Sequence, residues 1–327
     1  MILKFKIFLG SLFLSFIIFG CASLKVKTSS KSDKENKKEV AKSISEEQMF
    51  AFKFNFFEGN KYLMLGDFEN AINSFKTCLL IDSTSSATYY SLASIYLNKK
   101  DFISAEVNAK KAVFHQPNSI WYLYLLGNLY SHNEKYNEAI EVYSKLIQLS
   151  PKEMDYYLNL SDVYLQKKDI TNALKAYNQI EQLFGISEQI SLQKHAIFIS
   201  LNKKKEALQE LVKLAAYYNN EAKYQRLIAD FYFKTNEVNK AISIYKSLIE
   251  INDNDGFSHF GLADCYRTTG KNDLVFKELK KGFESNEVSS EIKLNVLVNF
   301  IKNVGDNKEM KVLAYEYTEV LVKLYPD

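Results

Sequence analysis

The chain has little of what catalytic sites, metal centres and disulfide frameworks are made from. Its 327 residues include three cysteines, three prolines, four histidines and one tryptophan. Cys78 and Cys265 lie 187 residues apart, about five and a half of the chain's 34-residue periods, so no intrachain disulfide is expected and both thiols are expected to be free and buried. His115, His132, His195 and His259 are not spaced as ligands on one helix face, and no cysteine pair accompanies them, so no metal site is expected. The chain has no His-Glu-x-x-His, no Gly-x-Ser-x-Gly and no dinucleotide fingerprint. Gly256 and Gly261 have the outer spacing of a phosphate loop, but Leu262-Ala263 follow where lysine and a hydroxyl residue are required. No enzyme activity and no cofactor are expected. Charge of one sign is also missing: 42 basic residues face 39 acidic ones, for a net charge of +3, too balanced for nucleic-acid binding. Proline is confined to Pro117, Pro151 and Pro326, outside the stretches that read as helix.

What is present is a period. Ala71, Ala105, Ala139, Ala173, Ala207 and Ala241 recur at one unvarying interval. An aromatic series keeps the same interval: Tyr62, Tyr96, Tyr130, Tyr164, Phe198, Tyr232 and Tyr266. A series of small residues runs Gly59, Ala93, Gly127 and Ser161, is broken by His195, and resumes at Ala229 and Ala263. A fourth series runs Phe75, Ala109, Tyr143, Tyr177, Leu211, Tyr245 and Leu279. A fixed period of this length marks a stack of two-helix units that bury a continuous core between neighbours. Within one unit, Leu123, Leu126, Gly127 and Tyr130 share a face of the first helix, and Ala139, Tyr143, Leu146 and Ile147 share a face of the second. Asp67, Asp101 and Asp169 stand in one register and are expected to cap second helices.

The large–small pairs Leu92-Ala93, Leu126-Gly127, Leu160-Ser161 and Leu262-Ala263, the aromatic that follows each, and the alanine of the second helix resemble the tetratricopeptide repeat. The resemblance implies an all-α solenoid of seven repeats over residues 49–289, closed by an atypical helical cap over 290–327. Three departures stand out. Lys194 and His195 occupy the large–small slot of the fifth unit, which suggests a one-residue slip toward Ala196. Val275 replaces the alanine of the seventh unit. The tail Glu291–Tyr325 reads as two helices that have lost the spacing.

The N-terminus has a different character. Lys4 and Lys6 precede an apolar run from Ile7 to Phe19, too short to span a bilayer, which reads as a secretory signal over residues 1–20. Ile18-Phe19-Gly20-Cys21 is similar to a bacterial lipoprotein cleavage box and implies acylation of Cys21. Residues 21–48 read as a tether, rich in lysine and serine, with an end-to-end distance of roughly 25–30 Å. Its lysines suit a solvated spacer or contact with anionic headgroups. The resemblance to lipoproteins implies a bacterial envelope location, at the outer membrane in preference to the inner.

In the repeat family, first helices line a concave groove. Projected onto this chain, the early groove is Phe56, Asn60, Tyr90, Ser94, Trp121, Tyr124 and Asn128, aromatics beside amides that suit a protein or peptide partner. Tyr124 and Trp121 could instead pack on the neighbouring first helix. A second patch is Arg226, Asp230, Phe257, Phe260, Asp264 and Arg267, where mixed charge could form a ladder between helices or hold a charged partner. Two functions are open: an envelope scaffold that binds a protein in the groove, and a transporter-associated lipoprotein holding a small ligand in a cavity lined by Phe257 and Phe260.

Overall fold

A computed structural model describes residues 44–303 and 308–324. The leader, Cys21 and the tether up to residue 43 lie outside the described residues. Sixteen α-helices are described, all within Ser45–Asp327. First helices are α1 (Glu46–Met64), α3 (Ser86–Asn98), α5 (Ile120–His132), α7 (Met154–Gln166), α9 (Glu188–Ser200), α11 (Ala222–Lys234), α13 (Gly256–Thr268) and α15 (Ser290–Asn303). Second helices are α2 (Phe68–Ile81), α4 (Phe102–His115), α6 (Tyr136–Leu149), α8 (Ile170–Phe184), α10 (Lys204–Tyr217), α12 (Val238–Ile251), α14 (Asn272–Glu284) and α16 (Lys308–Leu324). From α3 to α15 each first helix starts one repeat length after the last, and from α2 to α14 each second helix does the same.

The register is set largely by one turn repeated seven times. Gly66, Lys100, Glu134, Lys168, Asn202, Asn236 and Gly270 all have positive φ, between 57° and 76°, and each follows a first helix. The next residue donates its N–H back across this turn to the carbonyl of the aromatic series: Asp101 to Tyr96 at 2.8 Å, Lys135 to Tyr130 at 2.8 Å, Lys203 to Phe198 at 2.8 Å. This is the Schellman arrangement, which satisfies carbonyls that a helix end leaves bare. In three units the same residue caps the second helix. Asp67, Asp101 and Asp169 accept from Asn70, Ser104 and Asn172 N–H groups at 3.2, 3.1 and 3.2 Å.

The second-helix alanines are fully buried, and the bulky series beside them meets the small series of the first helix. A Cβ on Gly59 would sit 2.9 Å from the Phe75 ring, and one on Gly127 would sit 3.1 Å from that of Tyr143. In these two units the small slot is therefore the seat of an aromatic ring. Pro117 and Pro151 fall in the loops before α5 and α7, where no helical N–H is needed.

Three expectations are corrected. The tether ends earlier than residue 48, because Ser45 and Gln48 form a reciprocal capping box that starts α1 at Glu46. The fifth unit has no slip: α9 begins one full repeat length after α7, Ala196 is exposed, and His195 keeps the small slot by bonding the Ala207 carbonyl through Nδ1 at 2.9 Å. The cap does not lose phase at once, since α15 starts one repeat length after α13; the register shifts only at α16.

Candidate concave binding face

The residues projected into the early groove divide into two kinds. Trp121 is 73% exposed, at the start of α5. Tyr90 and Tyr124 are half-buried because each meets an aromatic of the next first helix: Tyr90 lies 5.0 Å from Tyr122 and Tyr124 lies 5.9 Å from Tyr156, ring centre to ring centre. These two rings therefore join neighbouring units and present only part of their surface. Phe56 goes further inward, edge-on to Phe75 at 5.5 Å, and belongs chiefly to the core of the first unit.

The amides are held in place. Asn60 donates from Nδ2 to the Phe56 carbonyl at 2.7 Å, which leaves its oxygen to the face. Asn128 accepts the Tyr143 hydroxyl at 2.6 Å on Oδ1, which leaves its NH₂. Burial pushes the Tyr143 hydroxyl upward in pKa, so it stays a donor at any ordinary pH. Ser94 donates to the Tyr90 carbonyl at 3.0 Å.

The later part of the face is acidic where the early part is neutral. Asp162, Asp230 and Asp264 occupy the register of Asn60 and Asn128. Asp162 is open to water yet walled by protein, and desolvation raises its carboxyl above the usual range. Asp264 is raised by the same cause, with the Arg267 guanidinium opposing and the Asp230 charge adding to it. Asp230 accepts the Tyr245 hydroxyl.

The arginines of this patch are committed. Arg226 reaches 2.6 Å from Asp255 on the next first helix and lies over the Phe257 ring at 5.2 Å. Asp255 in turn caps α13 through the Ser258 N–H and hydroxyl. Arg267 pairs with Asp264 on its own helix at 2.6 Å, so a bridge between helices forms at Arg226 and not at Arg267. Phe260 is a core residue and not a groove residue. Its ring lies 5.2 Å from Phe283, against the backbone of Gly282, where no side chain would fit.

A cavity of about 270 Å³ does open at this end, but not where it was expected. Ala263, Asp264, Arg267, Val275, Leu279, Val296, Asn299 and Phe300 line it, between α13, α14 and α15. Phe257 and Phe260 do not.

The histidines and cysteines are engaged in packing. His115 stacks on Tyr89 at 5.8 Å, and His132 meets Phe102 at 3.8 Å. His259 is buried, with Nδ1 donating to Glu278 at 2.6 Å and Nε2 to the Asp253 carbonyl at 3.0 Å. Acceptors beside both nitrogens favour the protonated ring. Burial opposes the charge, but Glu278 and the Asp253 carbonyl outweigh it and raise the pKa. Burial pushes the Cys78 thiol up to about 11 and Cys265 up to about 12, so both free thiols are inert. Among the described residues no cluster of three His, Cys, Asp or Glu side chains could hold a metal, and no helix is long and apolar enough to cross a membrane.

Comparison with known proteins finds the repeat. Tetratricopeptide-repeat family models match residues 54–85, 155–183 and 222–255, and a TPR repeat model matches 127–168. The chain is a tetratricopeptide-repeat protein. Among solved structures it is similar to a tetratricopeptide repeat protein from Parabacteroides merdae, at 14% identity and a TM-score of 0.45, covering 76% of this chain and 98% of that one. It is also similar to Pseudomonas aeruginosa pilF, at 17% identity and a TM-score of 0.34, covering 78% and 100%. The second TPR domain of human RPAP3, solved with an HSP70 peptide, matches at 19% identity and a TM-score of 0.33, covering 36% and 97%. A search of curated proteins returned no match.

Proposed function

We propose that the repeat stack is a non-catalytic scaffold, and that the concave face of its third unit takes an extended segment of a protein partner. The observation that carries this reading is Trp121. It is the protein's one indole, it stands 73% exposed on a first helix, and Tyr124 and the Asn128 amide flank it in the groove registers. Large aromatic rings supply contact area at small entropic cost, and a fixed amide donor suits a backbone carbonyl. The late patch does not compete for the role, because its arginines already have carboxylate partners. Lipid on Cys21 would hold the scaffold at the bacterial envelope, at the outer membrane in preference to the inner, where the partner would belong to envelope assembly or secretion.

The test is crosslinking in intact cells, comparing the native chain with Trp121→Ala, Tyr124→Ala. The expected result is an envelope protein captured by the native chain and lost, at least tenfold, from the variant. An unchanged set of captured proteins would overturn the assignment to this groove. A second reading, a transporter-associated protein with a small ligand, rests on the 270 Å³ cavity beside Asp264 and Arg267. A small molecule that co-purifies in native mass spectra and is lost in Ala263→Phe would favour it.

A further inference from the structure

The outer face of α1 carries a row of large apolar side chains facing water. Phe50, Phe54 and Phe57 are 73%, 56% and 68% exposed, and Met64 and Leu65 are more exposed still on average. With Lys61 they fall within about 100° of arc, a single stripe some 22 Å long.

In the other units the middle registers of this stripe, those of Phe54 and Lys61, are covered, while those of Phe50, Met64 and Leu65 are largely open. The positions matching Lys61 are Ile95, Leu129, Val163, Ile197, Phe231 and Cys265, all buried. Those matching Phe54 rest on the preceding unit: Tyr122 on Tyr90, Tyr156 on Tyr124, and Tyr224 on Tyr218 at 4.7 Å. The middle of the α1 stripe is therefore part of the repeat's own stacking face, and among the described residues no helix precedes it. Residues 22–43 contain only Ala22, Leu24, Val26, Val40 and Ala41 as apolar residues, with no aromatic.

The stripe matches itself. Laid antiparallel on a second copy about a two-fold axis at Phe57, Phe50 meets Met64 and Leu65. Phe54 meets Lys61, whose ammonium, already beside Glu58 at 3.1 Å, can lie over the ring. Phe57 meets Phe57. We propose that this face joins two copies of the chain in an isologous dimer, the uncovered stripe of each copy covering that of the other across a two-fold axis. One helix stripe is smaller than the roughly 800 Å² per partner of a stable complex, so the dimer dissociates on dilution in the micromolar range.

The experiment uses the full chain carrying Cys21→Ser. Sedimentation velocity across a concentration series is expected to show monomer passing to dimer and no further. Phe57→Glu, at an exposed position, is expected to remain monomeric throughout with unchanged helical content. Phe57→Cys, at the axis, is expected to form a disulfide-linked dimer under mild oxidation, while Cys78 and Cys265 stay buried and unreactive. A monomer at all concentrations would overturn the proposal. So would species that grow beyond dimer, which mark a head-to-tail contact, or a dimer in which Phe57→Cys fails to crosslink.

Discussion

The third and fifth units solve one packing problem with opposite materials. In the third, Leu126 of α5 belongs to the buried core, and Val113 of α4 and Val142 of α6 pack against that core. Two repeat lengths on, the same three registers hold Glu181, Lys194 and Glu210. Lys194 is buried and reaches Glu181 at 2.9 Å and Glu210 at 2.7 Å, while Lys213 closes the group from the rim, 2.8 Å from Glu181 and paired also with Glu210. The helices on either side keep the repeat's register of starts in both units. The repeat geometry therefore does not need its large apolar residue. It needs a filled slot with no uncompensated charge, and a backbone turn that fixes where the second helix begins.

The strongest way to break this comparison is to restore the repeat's own preference. Lys194→Leu replaces the exception with the residue of the third unit, yet it strands two buried carboxylates on one lysine. It is expected to cost about 3 kcal/mol in urea unfolding followed by circular dichroism. The triple variant Glu181→Val, Lys194→Leu, Glu210→Val is expected to recover all of that loss, because a well-packed apolar group is as stable as a buried ion network. A single variant with no cost would mean that the lysine is not held by its carboxylates.

A second polar seam, at the seventh unit, sharpens the comparison through pH. Burial works against ionisation of Glu181, but the bonds from Lys213 and Lys194 outweigh it and lower its pKa. Its contribution to stability is present above the ordinary carboxylate range and is lost as pH falls through the lowered folded value. His259 has the opposite sign. Its pKa is raised, so its contribution is complete below the unfolded value near 6.5 and is lost as pH climbs through the raised folded value. Glu278, Asp253, Lys277, Lys281 and Lys246 surround that imidazole. Alkaline titration is expected to weaken the native chain more than His259→Gln, and acid titration is expected to affect the two alike. Equal alkaline slopes would remove His259 as the source.

Much of the fold was legible in the sequence because a fixed period leaves the same mark in several registers at once. Alanine, aromatic and small residues agree, and one irregular unit cannot outvote six. The slip expected at His195 came from reading side-chain size alone. The partners that hold Lys194 lie on two other helices, Glu181 on α8 and Glu210 on α10. They show only when both glutamates are noticed at registers that the third unit fills with Val113 and Val142. The groove was legible less fully. A register does not say whether a ring faces solvent or the next unit. Tyr90 and Tyr124 do both, Phe260 does neither, and only Trp121 stands clear.

The smallest expected effect tests the turn itself. Five of the seven positive-φ turn residues carry a Cβ, and three of these, Lys100, Glu134 and Lys168, lack the short amide that eases the left-handed region for Asn202 and Asn236. Lys168 is exposed, and its N–H donates to the Leu165 carbonyl at 2.9 Å, a bond that any residue retains. Lys168→Gly removes the steric cost of the left-handed conformation but gives the unfolded chain greater freedom, and the first effect is the larger. A gain of about 0.5–1 kcal/mol is expected in urea unfolding. Asn202→Gly, where the amide already relieves the strain, is expected to gain less. Were the asparagine variant to gain as much, the turn would be limited by something other than the Cβ. The shared left-handed residue would then no longer explain why the third and fifth units, so unlike in their slots, keep one register.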